Sequence, residues 1–305
     1  MAVAEAFTQT LPTRTGRTRA AARPRRGLDR AAAGLLGLVT LVALAAPVLA
    51  PHGPLTPVGQ PELPPGSSGF LLGSDTVGRD ILSRVLYGAR TSWLAALAVV
   101  GLGLLIGGII GLIAGASGGW VDNVLMRITD GFLALPAPVV AIAVVAALGG
   151  GLFHTLLAVS VVWWPFYARI VRGEIRTLAA RPHVEAARLA GAGRVRVALR
   201  HLLPGAVPSA AVTASLDIGN LVLTLAGLSF LGLGASAPAP ELGADTARNL
   251  SYLLQDWWIP VVPGVVVALL SLAANVAGDG IRNLMSTRLG APCYRSSPSA
   301  SALPS

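Results

Sequence analysis

Long uncharged stretches alternate with arginine-bearing segments along the chain. Residues 31–50 and 91–121 contain no charged side chain, and each is long enough to cross a bilayer as a helix of about 20 residues. A third uncharged stretch, 131–168, is too long for one crossing and is divided by glycines at 149–151. Two later apolar stretches, one of them interrupted by Asp217, complete the pattern. It predicts an all-α membrane protein with six transmembrane helices, over 31–50, 91–121, 131–149, 153–171, 207–231 and 257–278.

The composition supports a membrane protein and adds that the chain is strongly basic. Of the 305 residues, 53% are hydrophobic and 12% are charged, whereas about 25% are charged in an ordinary soluble domain. The mean hydropathy is +0.68. The net charge of +9 is carried by arginine, because the chain contains no lysine. Such basicity suits either nucleic acid or a membrane surface.

The distribution of the arginines favours the membrane and predicts an orientation. Seven lie in residues 1–30, eight lie between 169 and 200, and three lie near the carboxyl terminus, whereas the loop at 51–90 has three arginines and three acids. Because cytoplasmic loops carry the excess of arginine, we expect both termini to be cytoplasmic and 51–90 to be extracytoplasmic. Residues 1–30 are predicted to be a disordered basic segment, and 283–305 a cytoplasmic tail whose last fifteen residues are also disordered.

The first helix and the tryptophans carry two further expectations. The helix at 31–50 follows basic residues and ends in small ones, so a cleaved signal peptide is the alternative to a retained anchor. The full bilayer length and Pro51 favour the anchor. Tryptophans are predicted to form an interfacial aromatic belt near the helix ends, at Trp93, Trp120, Trp163, Trp164, Trp257 and Trp258.

A glycine repeat in the second predicted helix indicates close helix packing. Glycines recur every fourth residue and so line one helix face, at Gly103, Gly107, Gly111 and Gly115. A phosphate-binding loop is a poor alternative, because it requires a lysine that the chain lacks. Work driven by ATP would therefore need a separate ATPase subunit, with no cofactor bound by this chain.

Catalytic and metal-binding patterns do not occur in the sequence. The four histidines are scattered, the single Cys293 lies in the polar tail, and neither G-x-S-x-G nor H-E-x-x-H is present. We therefore expect no catalytic and no metal site. Asp217 is the one acid at membrane depth, with Asn220 one turn later. It either faces a solute pathway or is held by hydrogen bonds for packing, and the same alternatives apply to Asn275.

The most basic segment reads "VEAARLAGAGRVRVALRHLLP" over 184–204. Pro182 can start a helix, Gly191 and Gly193 can form a turn, and a second helix is predicted to stop at Pro204. In that second helix Val195, Leu199 and Leu202 are expected to share one apolar stripe. The alternative is a basic loop that orients the protein and touches anionic lipid.

This segment resembles the EAA signature of ABC importer permeases. The residues that match it are Glu185, Ala186, Ala187, Gly191, Leu203 and Pro204. Further stretches are similar to the second permease of dipeptide, oligopeptide and nickel importers: "LLGSDTVGRDILSRVLYGARTS" (71–92), "GGWVDNVLMRITDGFLALP" (118–136), "WPFYARIVRGEI" (164–175), "GLSFLGLG" (227–234) and "NVAGDGIR" (275–282). The resemblance implies a type I ABC importer permease fold in the bacterial cytoplasmic membrane. Its permease domain covers 91–282, with the EAA loop at about 173–206.

The resemblance also implies the partners. These are a second homologous permease, two ATPase subunits that use ATP and dock on the EAA loop, and an extracytoplasmic solute-binding protein. Arginines of the loop are expected to meet acidic ATPase residues or lipid headgroups, at Arg188, Arg194, Arg196 and Arg200. Leu225 stands where the family usually has glutamate, which weakens the assignment of cargo. Peptides are favoured, nickel is the alternative cargo, and a channel or secondary transporter is the alternative class.

Overall fold

The structure is a computed structural model that describes residues 26–289, and within that range it is helical with no strand. The all-α fold is therefore confirmed. The predicted terminal segments at 1–25 and 290–305, with Cys293, lie outside the described residues. The α-helices are α1 (Arg26–Leu44), α2 (Ala46–Leu49), α3 (Ile81–Ser117), α4 (Gly119–Leu133), α5 (Ala137–Leu148), α6 (Leu152–Ala179), α7 (Pro182–Leu189), α8 (Arg194–Val197), α9 (Leu203–Phe230), α10 (Leu242–Arg248) and α11 (Trp258–Leu289).

Three helices of the described range are long and apolar enough to cross a membrane. They are α3, the continuous helix over 194–230, and α11 over 258–285. A fourth crossing is added if α4 and α5, which meet at a bend of 84°, form one broken span. The count of six transmembrane helices stays a prediction.

Helix α3 begins ten residues before the predicted start of its span. Asp80 caps it, because its carboxylate accepts a hydrogen bond from the Ser83 backbone amide at 3.0 Å. The segment before it, 50–80, is therefore shorter than the predicted 51–90 loop. At the other end of α3, Gly118 takes a φ of 64°, a conformation that glycine adopts without strain.

The predicted helix over 131–149 is wrong at its start. Helix α4 begins at Gly119 and ends at Leu133, and the chain turns by 84° before α5 starts at Ala137. Pro136 stands in the turn and Pro138 in the first turn of α5. Proline is well accommodated in the first turn of a helix and disfavours helical backbone in the residue before it, so the two prolines favour the start of a new helix here.

The predicted stop at Pro204 is also wrong. Helix α8 continues through a π-helical turn at 198–202 into α9 without a break. The wider π-helical turn comes immediately before Pro204, the residue that lacks a backbone donor. Pro204 thus lies inside a continuous helix, where the π-helical turn accommodates the residue that has no backbone donor.

The first helix begins at Arg26, so residues 26–30 are helical rather than disordered. It packs along α11. An added Cβ at Gly280 of α11 would lie 2.6 Å from the Ala32 Cβ, and the Asn283 Nδ2 donates to Asp29 Oδ1 at 3.1 Å. The carboxyl-terminal end of α11 is therefore joined to the start of α1.

The largest interface joins α3 to α6, and the apolar core extends from it to α9 and α11. Two of the predicted belt tryptophans, Trp93 and Trp258, are buried, and Trp163 is half-buried. Trp93 is fully buried and its Nε1 donates to Thr40 Oγ1 at 3.0 Å, while Trp163 donates to Asp217. The belt prediction is wrong for the buried Trp93 and Trp258, and hydrogen bonds between helices satisfy the indole N–H groups of Trp93 and Trp163. Trp120 and Trp257 are exposed, as a belt requires.

Candidate functional site

The EAA segment is a helix, a glycine turn and a second helix attached to the end of α6. Helix α7 starts at Pro182 and ends in a turn where Gly191 takes a φ of 83°. The Ala192 amide donates to the Ala187 carbonyl and the Gly191 amide to the Arg188 carbonyl, both at 3.0 Å. This pair of bonds is a Schellman motif, which needs a residue with positive φ. Gly193 has a φ of −64°, so Gly191 alone uses the special freedom of glycine.

Buried valine and leucine side chains hold the segment against α6. Val184, Val197 and Leu202 are each at most 2% exposed and form one cluster with side chains near the end of α6. The single apolar stripe predicted for the second helix is therefore wrong. Leu202 is buried, whereas Val195 and Leu199 are 72% and 55% exposed. The π-helical turn changes the rotation per residue, so positions with helical spacing no longer share a face.

The signature residues lie on the exposed side of the segment. Glu185, Ala186 and Gly191 are exposed and Ala187 is half-buried. Arg188, Arg194, Arg196 and Arg200 are exposed as well, and none of the four makes an ion pair with another residue of the described range. This face offers small, apolar and cationic side chains with no partner in this part of the chain.

Ion pairs that sequence reasoning missed join α4 to α6 next to the EAA segment. Asp122 is 3% exposed and accepts from the Arg172 guanidinium, with Nη2 to Oδ2 at 2.6 Å, and it forms an ion pair with Arg176 at 3.5 Å. Asp130 pairs with Arg169 at 2.5 Å. The sequence signal for these ion pairs was their spacing. Two acids lie eight residues apart on α4, and the arginines of α6 lie three and four residues apart. The tertiary fold was needed to show that these rows face each other.

The glycine repeat of α3 faces α6 at all four positions. An added Cβ would lie 3.1 Å from the Tyr167 ring at Gly103, 2.3 Å from the Trp164 carbonyl oxygen at Gly107, and 2.5 Å from the Ala168 carbonyl oxygen at Gly111. At Gly115 it would lie 2.8 Å from Ile175 Cβ. The backbones of α3 and α6 therefore approach so closely that a side chain does not fit between them.

The three pathway candidates lie in different surroundings. Asp217 is 9% exposed, and its Oδ2 accepts hydrogen bonds from Trp163 Nε1 at 2.5 Å and from the Tyr167 hydroxyl at 2.9 Å. Asn275 of α11 lies beside Gly219, whose added Cβ would be 2.8 Å from the amide oxygen. Asn220 is exposed on α9. Asp217 thus joins α9 to α6, and of the three it is the one whose contacts fit helix packing.

This geometry gives a prediction for Asp217. Replacing it with leucine leaves two buried donors without an acceptor, which we expect to cost roughly 2 to 4 kcal/mol of stability. Asp217→Asn keeps a carbonyl oxygen for the same donors and is expected to cost about 1 kcal/mol or less. Thermal unfolding of the purified variants measures both. If Asp217→Asn unfolds like the wild type but abolishes uptake, the carboxylate acts in the pathway instead.

A second polar network lies at the opposite end of the bundle from the EAA segment. Arg84 of α3 donates to Asp245 of α10 at 2.6 Å and to the Pro54 carbonyl at 3.1 Å, and both partners of the ion pair are below 10% exposed. Arg248 approaches the same Asp245 carboxylate at 3.3 Å. Burial raises the pKa of the neighbouring Glu241 carboxyl, although hydrogen bonds from Ser229 and from backbone amides oppose the shift.

Comparison with known proteins identifies the family of this chain. The family model described as "binding-protein-dependent transport system inner membrane component" matches residues 107–290. This chain belongs to that family. The match includes the glycine repeat from Gly107 onward, the α4–α6 ion pairs and the EAA segment. The chain is therefore an inner-membrane, multi-pass permease component.

Curated relatives cover most of this permease. It is 40% identical over 256 residues to a probable D,D-dipeptide transport system permease of Escherichia coli, covering 84% of this chain and 86% of the relative. It is also 40% identical over 266 residues to a di/tripeptide permease of Pseudomonas aeruginosa, covering 84% and 87%. A nickel permease of E. coli is 36% identical over 259 residues, covering 84% and 92%.

Solved structures show the same fold at lower identity. The methionine ABC transporter MetNI, in an inward-facing form, aligns with a TM-score of 0.53 at 20% identity, covering 65% of this chain and 95% of the other. An amino acid ABC transporter solved with histidines aligns with a TM-score of 0.52 at 15% identity, covering 67% and 94%. The bundle of this permease thus has the fold of ABC importer subunits.

Proposed function

We propose that this permease forms half of the membrane pathway of an ATP-driven importer for di- or oligopeptides. A second homologous permease forms the other half, two ATPase subunits supply the energy, and an extracytoplasmic binding protein delivers the cargo. The relatives at 40% identity, which transport dipeptides and di- or tripeptides, support the peptide assignment. The assembly of two permeases with two ATPases follows the resemblance of the EAA signature.

The observation that carries the proposal is the exposed apolar surface of the EAA segment. Leu189 is 84% exposed and Val195 is 72% exposed, although both belong to a segment rich in arginine. Apolar side chains grouped on a polar surface favour a protein partner. The alanines at 186 and 187 let that partner approach α7 closely, and α6 leads directly into α7, so a push on the segment moves α6.

Orientation and cofactor use follow from the same arrangement. The EAA segment carries Arg181, Arg188, Arg194, Arg196 and Arg200, so the positive-inside rule supports a cytoplasmic location for it and for both termini. The Arg84–Asp245 network is then extracytoplasmic, on the side of the binding protein. ATP is bound by the partner ATPases rather than by this chain, which contributes no catalytic residue. Asn220 of α9 and Asn275 of α11 remain our candidates for contact with the cargo, since both are exposed.

The coupling role is tested at Gly191. Replacing it with alanine places a Cβ at a φ of 83° with no other atom within 4 Å, so the effect comes from backbone strain of about 1 to 2 kcal/mol. We expect the turn to distort and the uptake per ATP hydrolysed to fall several-fold in membranes that contain the complete transporter. Glu185→Ala is also expected to lower the uptake per ATP hydrolysed, because Glu185 lies on the exposed side of the EAA segment.

Gly193→Ala is the matched control, since Gly193 has a φ of −64° and equally open space around it. It should leave uptake and ATP hydrolysis at wild-type values. Membrane insertion of all three variants is checked by their amounts in the membrane fraction. Wild-type coupling in both Gly191→Ala and Glu185→Ala, at normal insertion, would contradict the docking role.

Nickel is the second candidate cargo, favoured by the relative that transports nickel at 36% identity. Cargo is decided by the binding protein that works with this permease. Its purified form can be titrated with di- and tripeptides and with Ni²⁺ in a calorimeter. Peptide binding supports the proposal, whereas binding of Ni²⁺ without peptide overturns the peptide assignment and leaves the coupling role intact.

A further inference from the structure

A cavity of about 410 Å³ lies between the end of α3 and the EAA segment. One wall is Ala116 and Ser117 at the end of α3, and the other wall includes Arg188 and Arg194. The floor is apolar, because Val197 and Leu202 are buried there. Two exposed arginines, one on each side of the Gly191 turn, thus line the same cavity.

Neither arginine has an anionic partner in the part of the chain that the structure describes. Two of the acids near this end of the bundle are already engaged, Asp122 with Arg172 and Arg176, and Asp130 with Arg169, and no acid of the described range forms an ion pair with Arg188 or Arg194. Glu185 is one turn before Arg188 on α7 but makes no ion pair with it. The cavity is therefore a cationic site whose two arginines have no acidic partner within the described range. Guanidinium groups bind phosphate well, because their planar donors match its oxygens.

The position of the cavity favours a phosphate at the membrane surface. Its α3 wall ends at Ser117, and Trp120 follows three residues later with 77% of its surface exposed. Exposed tryptophans mark the headgroup level of a bilayer. Helix α3, which forms this wall, is apolar over the residues before Ala116. A lipid lying against α3 therefore brings its headgroup to the depth of the cavity.

From these contacts we propose that Arg188 and Arg194 bind the headgroup phosphate of an anionic phospholipid between α3 and the EAA segment. The bound phosphate then joins the coupling segment to the membrane surface by charge-assisted hydrogen bonds. The proposal depends on the placement of α3 in a membrane and not on ATPase docking. The lipid proposal can therefore fail while the proposed importer function stands, and the importer function can fail while the lipid proposal stands.

Lipid retention by the purified full-length permease tests the site directly. Native mass spectrometry in detergent compares phosphatidylglycerol with phosphatidylcholine of the same acyl chains. We expect the wild type to retain phosphatidylglycerol preferentially. In Arg188→Gln/Arg194→Gln the affinity for phosphatidylglycerol should fall about tenfold or more, since each hydrogen bond to a charged group contributes enough for roughly that change.

Arg196→Gln/Arg200→Gln is the matched control for this assay. It removes the same charge from the same segment, but neither residue lines the cavity, so its lipid affinity should stay within about twofold of the wild type. Equal losses in both double variants would mean general attraction to basic protein and would overturn the site. No preference for phosphatidylglycerol in the wild type would do the same.

Two further arms separate other anions from a lipid. Inorganic phosphate, added at constant ionic strength, should not displace phosphatidylglycerol, since the acyl chains add affinity that free phosphate lacks. Displacement by millimolar phosphate would assign the cavity to a soluble anion and overturn the lipid. If the cavity variant instead keeps lipid but loses co-purification with the ATPase subunits, the occupant is an acidic group of the ATPase, and the proposal is wrong.

Discussion

Replacing Gly107 with alanine is expected to destabilise the permease by about 3 kcal/mol, at the upper end of what overpacking costs. An added Cβ would lie 2.3 Å from the Trp164 carbonyl oxygen and 2.8 Å from the Ala168 amide nitrogen. Both atoms belong to the backbone of α6, so no side-chain rotation relieves the contact. Helix α3 has to move away from α6, which separates the largest interface of the fold.

Gly108→Ala is the control, because it changes the next residue of the same helix. No atom lies within 4 Å of an added Cβ at Gly108, so the substitution should be neutral or slightly stabilising. Thermal unfolding in one detergent should place the midpoint of Gly107→Ala below that of Gly108→Ala by on the order of 6 °C. Equal midpoints would mean that α3 and α6 do not approach as closely as the structure shows.

The second large effect is expected at the opposite end of the bundle, at Arg84. Its side chain is 8% exposed and pairs at 2.6 Å with Asp245, which is 7% exposed. Arg84→Met leaves that buried carboxylate with only Arg248, at 3.3 Å, so we expect a loss of about 3 kcal/mol, at the lower end of the cost of breaking a buried ion pair. The substitution also removes the hydrogen bond to Pro54, so the segment 50–80 should loosen from α3 and α10.

Two further variants test whether burial of the Arg84–Asp245 ion pair causes the loss of stability. Arg84→Met/Asp245→Leu removes both charges, so part of the stability should return relative to the single variant. Arg169→Met breaks an ion pair of similar length whose side chains are more than half exposed, and it should cost about 1 kcal/mol or less. Thermal unfolding compares the three. If Arg84→Met and Arg169→Met have the same midpoint, burial does not strengthen the Arg84 pair.

Local sequence was informative where the chemistry of a single residue decides the conformation. The turn at Gly191 could be predicted because only glycine takes a positive φ easily. The same reasoning failed at Pro204, since it treated a proline as a stop without considering the π-helical turn that precedes it. It also failed for Trp93 and Trp258, whose place near predicted helix ends did not reveal that both side chains are buried.

The chain's apolar stretches and the asymmetry of its arginines determined by themselves that this is a helical membrane protein with one basic end. The EAA residues determined its resemblance to importer permeases. Only the tertiary structure decided which groups meet: Gly107 with the backbone of α6, Asp217 with Trp163, and Arg84 with Asp245. The physical reason is the sequence separation over which each kind of interaction acts. Hydropathy and turn preferences act within a few residues, whereas these contacts join positions 54 to 161 residues apart and exist only after the helices have packed.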